Sequence, residues 1–221
     1  MQDQREESSM SYQKCARIDF PSFSGARCYM MPFIQGRPET LPEAYAGYGE
    51  IVEKLVMKRQ DGKTGLITID ESIVQAGTSQ RGYGTGDRTI HTEACLSHNR
   101  LSWGPSPMPT WGPSPYVSLD PETRVLIANS ISDTCMIWDV EVRDTTPDGD
   151  LSERAGQFPR ETGRMMKSGE VIEIGIFTPH EPIVQNEAGP RQFFRIVGAG
   201  VHGREEYFTR NPILEKMGFA N

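Results

Sequence analysis

The sequence predicts a mainly β (α+β) fold, an antiparallel barrel or sandwich with helical support. Three observations predict it. Short apolar or alternating runs recur along the chain, each bounded by turn-forming residues. Glycine (22) and proline (16) are together abundant in 221 residues, which excludes a helical bundle. Only one stretch, 41–59, carries a helical stripe.

The elements follow in order. Residues 1–12 are polar and expected to be disordered, leaving 13–221 as a single β-rich domain. Between 16 and 33, aromatic and small polar residues alternate in short strands broken at Pro21 and Pro32. Segment 41–59 puts Ile51, Leu55 and Val56 on one face, with Glu50, Glu53 and Lys54 off it, and predicts a helix. Residues 66–69 (LITI) and 89–94 (TIHTEA) read as short strands on either side of a glycine-rich connector, 76–88. The pentapeptide WGPSP occurs at 103–107 and again at 111–115, and so much proline predicts an extended loop.

The second half carries clearer strands. Residues 125–128 form a continuous apolar run. Residues 136–142 alternate, with Met136, Trp138, Val140 and Val142 on one face. Residues 143–164 are polar and read as a long surface insertion. Residues 170–177 alternate again through Ile172, Ile174 and Ile176, and 193–197 (FFRIV) form the last strand.

Charge narrows the function classes. A formal net charge of −7 argues against a general nucleic-acid binder, whose affinity comes from neutralising phosphates. No segment has the roughly 18 apolar residues of a membrane span, and the N-terminus does not read as a secretory signal. A cytoplasmic protein with reduced thiols is expected, its four cysteines (15, 28, 95 and 135) mostly buried and structural. An exposed edge strand leaves room for a homo-oligomer.

Chemistry concentrates in few residues. His91 and Glu93 are two apart, so on a strand they share a face and can reach one metal ion. His180 lies 89 residues after His91, and the fold would have to bring them together. Two imidazoles and one carboxylate make a facial triad that holds Fe(II) and leaves open positions. Arg191 and Arg195 follow, four residues apart on a strand face, and either suits a carboxylate ligand because guanidinium pairs with carboxylate bidentately.

Other readings compete. Glu93 can simply pair with His91 on a surface strand, His180 can be a turn residue, and the arginines can pair with Glu181 or Glu187. His98 with His91 and His180 offers a zinc-type ligand set, whereas His202 reads as a loop residue. The run GYGTG (82–86) lacks the Lys-Ser/Thr of a phosphate loop. Trp103 and Trp111 suit either a planar substrate or packing on the domain surface. The segment PDGDLSE (147–153) does not match a calcium loop.

The order HTE (91–93), TPHEP (178–182) and PRQFFRI (190–196) resembles the double-stranded β-helix Fe(II)/2-oxoglutarate dioxygenases. So does a TIDE segment (68–71) and a Gln-Arg pair (80–81) ahead of the metal motif, and the resemblance covers about 66–197. It implies a jelly-roll core, iron held by His91, Glu93 and His180, and 2-oxoglutarate held by Arg191, with Arg195 the other candidate. Hydroxylation of a small-molecule or side-chain substrate would be coupled to release of succinate and CO₂. Glu93 stands where Asp is commoner in that pattern. The competing expectation is a non-catalytic jelly-roll module, structural or interacting, for example of a virus particle.

Overall fold

A computed structural model describes residues 10–78, 88–97, 100–103, 123–144, 149–201 and 208–218. The fold is mainly β, built on two antiparallel sheets. The large sheet has the order β1-β9-β6-β11-β3-β2. Its strands are β1 (Tyr12–Arg17), β2 (Arg27–Ile34), β3 (Thr64–Val74), β6 (Arg124–Asn129), β9 (Glu170–Gly175) and β11 (Gly189–Val197). The small sheet is β10 (His180–Pro182), β7 (Cys135–Ile137) and β8 (Arg164–Met165), in that order. His91 extends it by bridging to His180 on one side and to Asp150 on the other. A separate hairpin pairs β4 (Ala94–Ser97) with β5 (Arg100–Trp103).

The chain therefore passes from large sheet to small and back: β3, then His91, then β6, then β7 and β8, then β9, then β10, then β11. This is the winding of a jelly roll, as predicted. Alternation along each strand sorts the side chains into two layers. Leu66, Val125, Ile127, Ile172, Ile174 and Val197 face inward, against Cys135 and Ile137 of the small sheet. Their neighbours Ile67, Ile69, Leu126, Ala128, Val171, Phe194 and Ile196 face outward and are buried under the N-terminal segment. Because both faces of the large sheet are covered, the 66–69 stretch of β3 (LITI) is buried throughout.

That covering segment departs from the expected helix at 41–59. It is two 3₁₀ turns (Pro38–Thr40 and Glu43–Tyr48) followed by a single α turn, α1 (Gly49–Lys54). Gly47 and Gly49 lower helix propensity there, and Gly47 sits so close to Pro21 that a Cβ would approach it to 3.2 Å. The chain leaves the helix at Leu55, and Met57 N–H donates to Gln35 Oε1 at 3.1 Å. The apolar face still forms: Leu41, Tyr48, Ile51, Val52, Leu55 and Met57 are buried, and Tyr48 stacks on Phe194 at 5.8 Å.

Four other expectations are corrected. Residues 149–164 are not a loose surface insertion, because Leu151 and Phe158 are buried with Ile90, Met136 and Trp138 as a third apolar cluster. The strand read at 136–142 ends at Ile137, where a local Val140 N–H to Trp138 C=O bond turns the chain and leaves Val140 exposed. The strand read at 66–69 extends to Val74, because Asp70 and Glu71 find ionic and hydrogen-bonding partners. Ser11 and Tyr12 are structured, inside the segment expected to be disordered: Ser11 N–H donates to Asp139 Oδ1 at 2.7 Å. The second helix, α2 (Pro212–Lys216), is capped by Asn211, whose amide also bonds Pro32 and Thr40 carbonyls. Among the described residues, no helix is long and apolar enough to cross a membrane.

Candidate functional site

The site candidates are positioned by strand register. In an antiparallel pair, directly opposed residues point to the same side. His180 opposes Ile137, an inward residue, so its imidazole faces the interior between the sheets. His91 opposes His180, with His91 N–H to His180 C=O at 3.0 Å and the reverse bond at 2.9 Å, so it faces the same way. The segment around His91 is one bridged residue and not the full strand expected at 89–94, but the parity holds. Glu181, next to His180, points to the opposite side, where Arg88 (2.7 Å) and Arg160 (3.1 Å) pair with it.

The fold thus joins two sequence-distant histidines. Their ring centroids are 4.2 Å apart, tilted by 60°. His91 Nδ1 lies 2.8 Å from the Thr89 carbonyl and His180 Nδ1 lies 3.0 Å from the Thr178 carbonyl. A carbonyl only accepts, so each Nδ1 carries a proton and Nε2 is the ring nitrogen left to face the interior. Glu93 Oε1 is 3.5 Å from His180 Nε2. Its other oxygen, Oε2, is 3.1 Å from Arg195 Nη1. Burial disfavours charge on Glu93, but Arg195 first, then His180 and His91, hold its carboxyl well below the usual carboxylate range.

The two arginines separate. Both lie on the inner face of β11, four residues and roughly 13 Å of strand apart. Arg195 is packed among Glu93, Thr68 and Met30, with Nη2 3.3 Å from Thr68 Oγ1 and 3.4 Å from Met30 Sδ. A β-bulge between Cys28 and Met31, with Met30 in a left-handed conformation (φ 48°), turns Met30 inward to this contact. Arg191 is only 2 % exposed, and its Nη2 donates to Asn129 Oδ1. Among the described residues, its Nε and Nη1 meet no hydrogen-bond partner. Burial pulls the Arg191 guanidinium down to about 10, an effect that Cys135 and Asp70 partly offset.

Two imidazoles and a carboxylate are a donor set of the kind that suits a divalent ion such as Fe(II). Among the described residues, however, no group of three His, Cys, Asp or Glu side chains stands ready to hold a metal ion. The Glu93 carboxylate lies between His180 and Arg195.

Asn129 and Cys135 were not anticipated from the sequence. Asn129 has a signal there: it continues the parity of Val125 and Ile127, so a polar side chain is turned into an apolar interior. Cys135 lies within electrostatic reach of both Arg191 and Glu93, and burial pushes its thiol up to about 12. Cys28 is buried as expected, whereas Cys15 is exposed. His98, His202, Trp111, GYGTG and nearly all of both WGPSP segments lie outside the described residues. No model of a known protein family matches this chain, and no curated protein matches it significantly.

Proposed function

We propose that this chain is an Fe(II)- and 2-oxoglutarate-dependent oxygenase that hydroxylates a small molecule or a side chain. The reading is carried by one observation. His91 and His180 pair on the inner side of adjacent small-sheet positions, Glu93 Oε1 lies 3.5 Å from His180 Nε2, and both Nδ1 atoms are pinned to carbonyls. The buried Arg191, whose Nε and Nη1 meet no acceptor among the described residues, supports the carboxylate part of it.

The residues divide the work as follows. His91 and His180 would hold the metal through Nε2, and Glu93 through Oε1, the oxygen turned toward His180. Arg191, braced by Asn129, would take the far carboxylate of 2-oxoglutarate in a paired contact. When bound there, Fe(II) would supply the oxidising power by activating O₂ with 2-oxoglutarate, which would leave as succinate and CO₂ as the substrate is hydroxylated. The inward apolar residues Ile137, Ile172 and Ile174 keep water from the interior. His91 is only half-buried, so the metal side of the cluster lies nearest solvent.

One observation favours the second reading, a jelly-roll module without chemistry. Glu93 already has a cationic partner in Arg195 and needs no metal to balance its charge. Anaerobic Fe(II) titration, followed by succinate release from 2-oxoglutarate, separates the two. The oxygenase reading expects tight Fe(II) binding that His180→Ala abolishes, and an Fe(II)-dependent yield of succinate.

A further inference from the structure

Register gathers five charged side chains on the inner face around β11. Asp70 and Asn129 both oppose Phe193, two residues from Arg191 and two from Arg195, and Arg27 opposes Asp70. Two ion pairs already form there. Arg27 Nε lies 3.0 Å from Asp70 Oδ1, and Arg195 Nη1 lies 3.1 Å from Glu93 Oε2. Three arginines against two carboxylates leave one positive charge in excess, and it falls on Arg191. Asp70 acts on Arg191 through space, but its near partner is Arg27. Arg191 meets the neutral Asn129 amide through Nη2. Its Nε and Nη1 meet no acceptor among the described residues, although the side chain is 2 % exposed. Cys135 does not balance the charge, since burial pushes its thiol up to about 12 and keeps it neutral. A buried guanidinium without a counter-charge is costly to the fold.

We infer that Arg191, braced by Asn129, is a binding site for a small organic acid presenting one carboxylate, and that it works without a metal. A guanidinium edge pairs with a planar carboxylate through two parallel bonds. One negative charge closes the local balance, whereas a phosphate group, at roughly −1.5 to −2, overshoots it. The half-buried Phe193 ring, 5.5 Å from the guanidinium, gives the rest of the acid an apolar surface on the same face. This site goes beyond the oxygenase reading. There Arg191 takes one end of a co-substrate whose other end iron holds. Here the acid binds with no metal at the histidines, in an oxygenase and in a non-catalytic module alike.

The test is thermal denaturation of the metal-stripped, full-length chain in chelator-free buffer, titrated with sodium acetate or with inorganic phosphate at constant ionic strength. Acetate should raise the wild-type Tm by roughly 3–6 °C per tenfold in concentration once binding saturates, the linkage expected of a ligand that binds only the folded chain. Arg191→Met should abolish that rise. Asn129→Asp places a carboxylate against Arg191 from within, so it should start at a higher Tm and respond no more than Arg191→Met does. Phosphate should move the wild type no further than it moves Arg191→Met. Equal responses to acetate by the wild type and Arg191→Met would overturn the site, and a phosphate rise as large as the acetate rise would overturn its assignment to a carboxylate. If Arg191→Met does not fold, Asn129→Asp carries the test, and an acetate response as large as the wild type's refutes the proposal. No iron enters these measurements, so a chain that responds to acetate but binds no Fe(II) keeps this site and loses the oxygenase reading.

Discussion

Glu71→Gln tests how the N-terminal segment is fastened to the large sheet. The Glu71 carboxylate is 2 % exposed and accepts six hydrogen bonds. Oε2 takes Ser24 N–H (2.6 Å), Ser24 Oγ–H (3.0 Å), Gly25 N–H (2.6 Å) and Ala26 N–H (3.1 Å). Oε1 takes Tyr48 O–H (2.8 Å) and Gln192 Nε2–H (3.0 Å). Burial opposes the charge, but these donors outweigh it, led by the Ser24 N–H, and lower the carboxyl from 4.5 to about 2. At about 1.4 kcal/mol per tenfold, the ionised form is favoured by about 3 kcal/mol over a neutral one.

Glutamine is the neutral isostere, and it must also aim an NH₂ at donors on one side. Chemical denaturation followed by circular dichroism at pH 7 should show a loss of about 3 kcal/mol, or a fall in Tm of roughly 6–12 °C for a chain of this size. The sign with pH follows from the lowered value. The stabilisation is complete above 4.5 and is lost as pH falls toward about 2. The gap between wild type and variant should therefore shrink between pH 4.5 and 2. A loss below about 1 kcal/mol at pH 7, or a gap that stays constant on acidification, would refute this reasoning.

Other substitutions probe other parts of the fold. On the oxygenase reading, Arg191→Met should raise the KM for 2-oxoglutarate by roughly 10- to 100-fold, the worth of a charge-assisted contact, while Fe(II) affinity stays unchanged. The same variant should stabilise the ligand-free protein by about 1–2 kcal/mol, because it removes a buried cation with incomplete partners. Gly169→Ala should cost about 2 kcal/mol or more in thermal denaturation, since φ is +69° and a Cβ would meet the Ile18 carbonyl oxygen at 2.4 Å. Gly200→Ala, with φ +90° and nothing within 4 Å, should cost only about 1 kcal/mol. Arg88→Ala should cost about 3 kcal/mol, because it strips Glu181, which is 1 % exposed, of its main cation; Arg160→Ala, at a half-exposed partner, should cost less than about 1 kcal/mol.

Strands that bury both faces announced themselves most clearly in the sequence. The alternation through Ile172 and Ile174 and the FFRIV run mark β9 and β11, although β9 ends at Gly175, before Ile176. What stayed illegible depends on long-range partners. Asp70 and Glu71 look like the end of a strand until Arg27 and the Ser24–Ala26 amides satisfy them. Leu151 and Phe158 sit in a polar stretch, and only the Trp138 surface gives them something to cover. Ile51, Leu55 and Val56 suggested more helix than forms, since local periodicity does not weigh Gly47 and Gly49 or the Gln35 side chain that draws Met57 out of the helix. A spacing of two suggested that His91 and Glu93 share a face, but it did not say that Glu93 would meet His180, 87 residues away. That Arg195 engages Glu93, and that Arg191 turns to Asn129, was not, because four-residue spacing puts both arginines on one face without saying what lies opposite.

The most direct measurement is anaerobic Fe(II) titration of the metal-stripped protein, wild type beside His180→Ala. His180 is the member of the cluster contributed by a separate segment, and it lies 3.5 Å from Glu93 Oε1. The oxygenase reading predicts one Fe(II) bound per chain by the wild type, lost in His180→Ala, with succinate formed from 2-oxoglutarate only when Fe(II) and O₂ are both present. Absence of Fe(II) binding by the wild type, or equal binding by His180→Ala, would contradict it and leave the jelly roll as a module whose Glu93–Arg195 pair serves the fold alone.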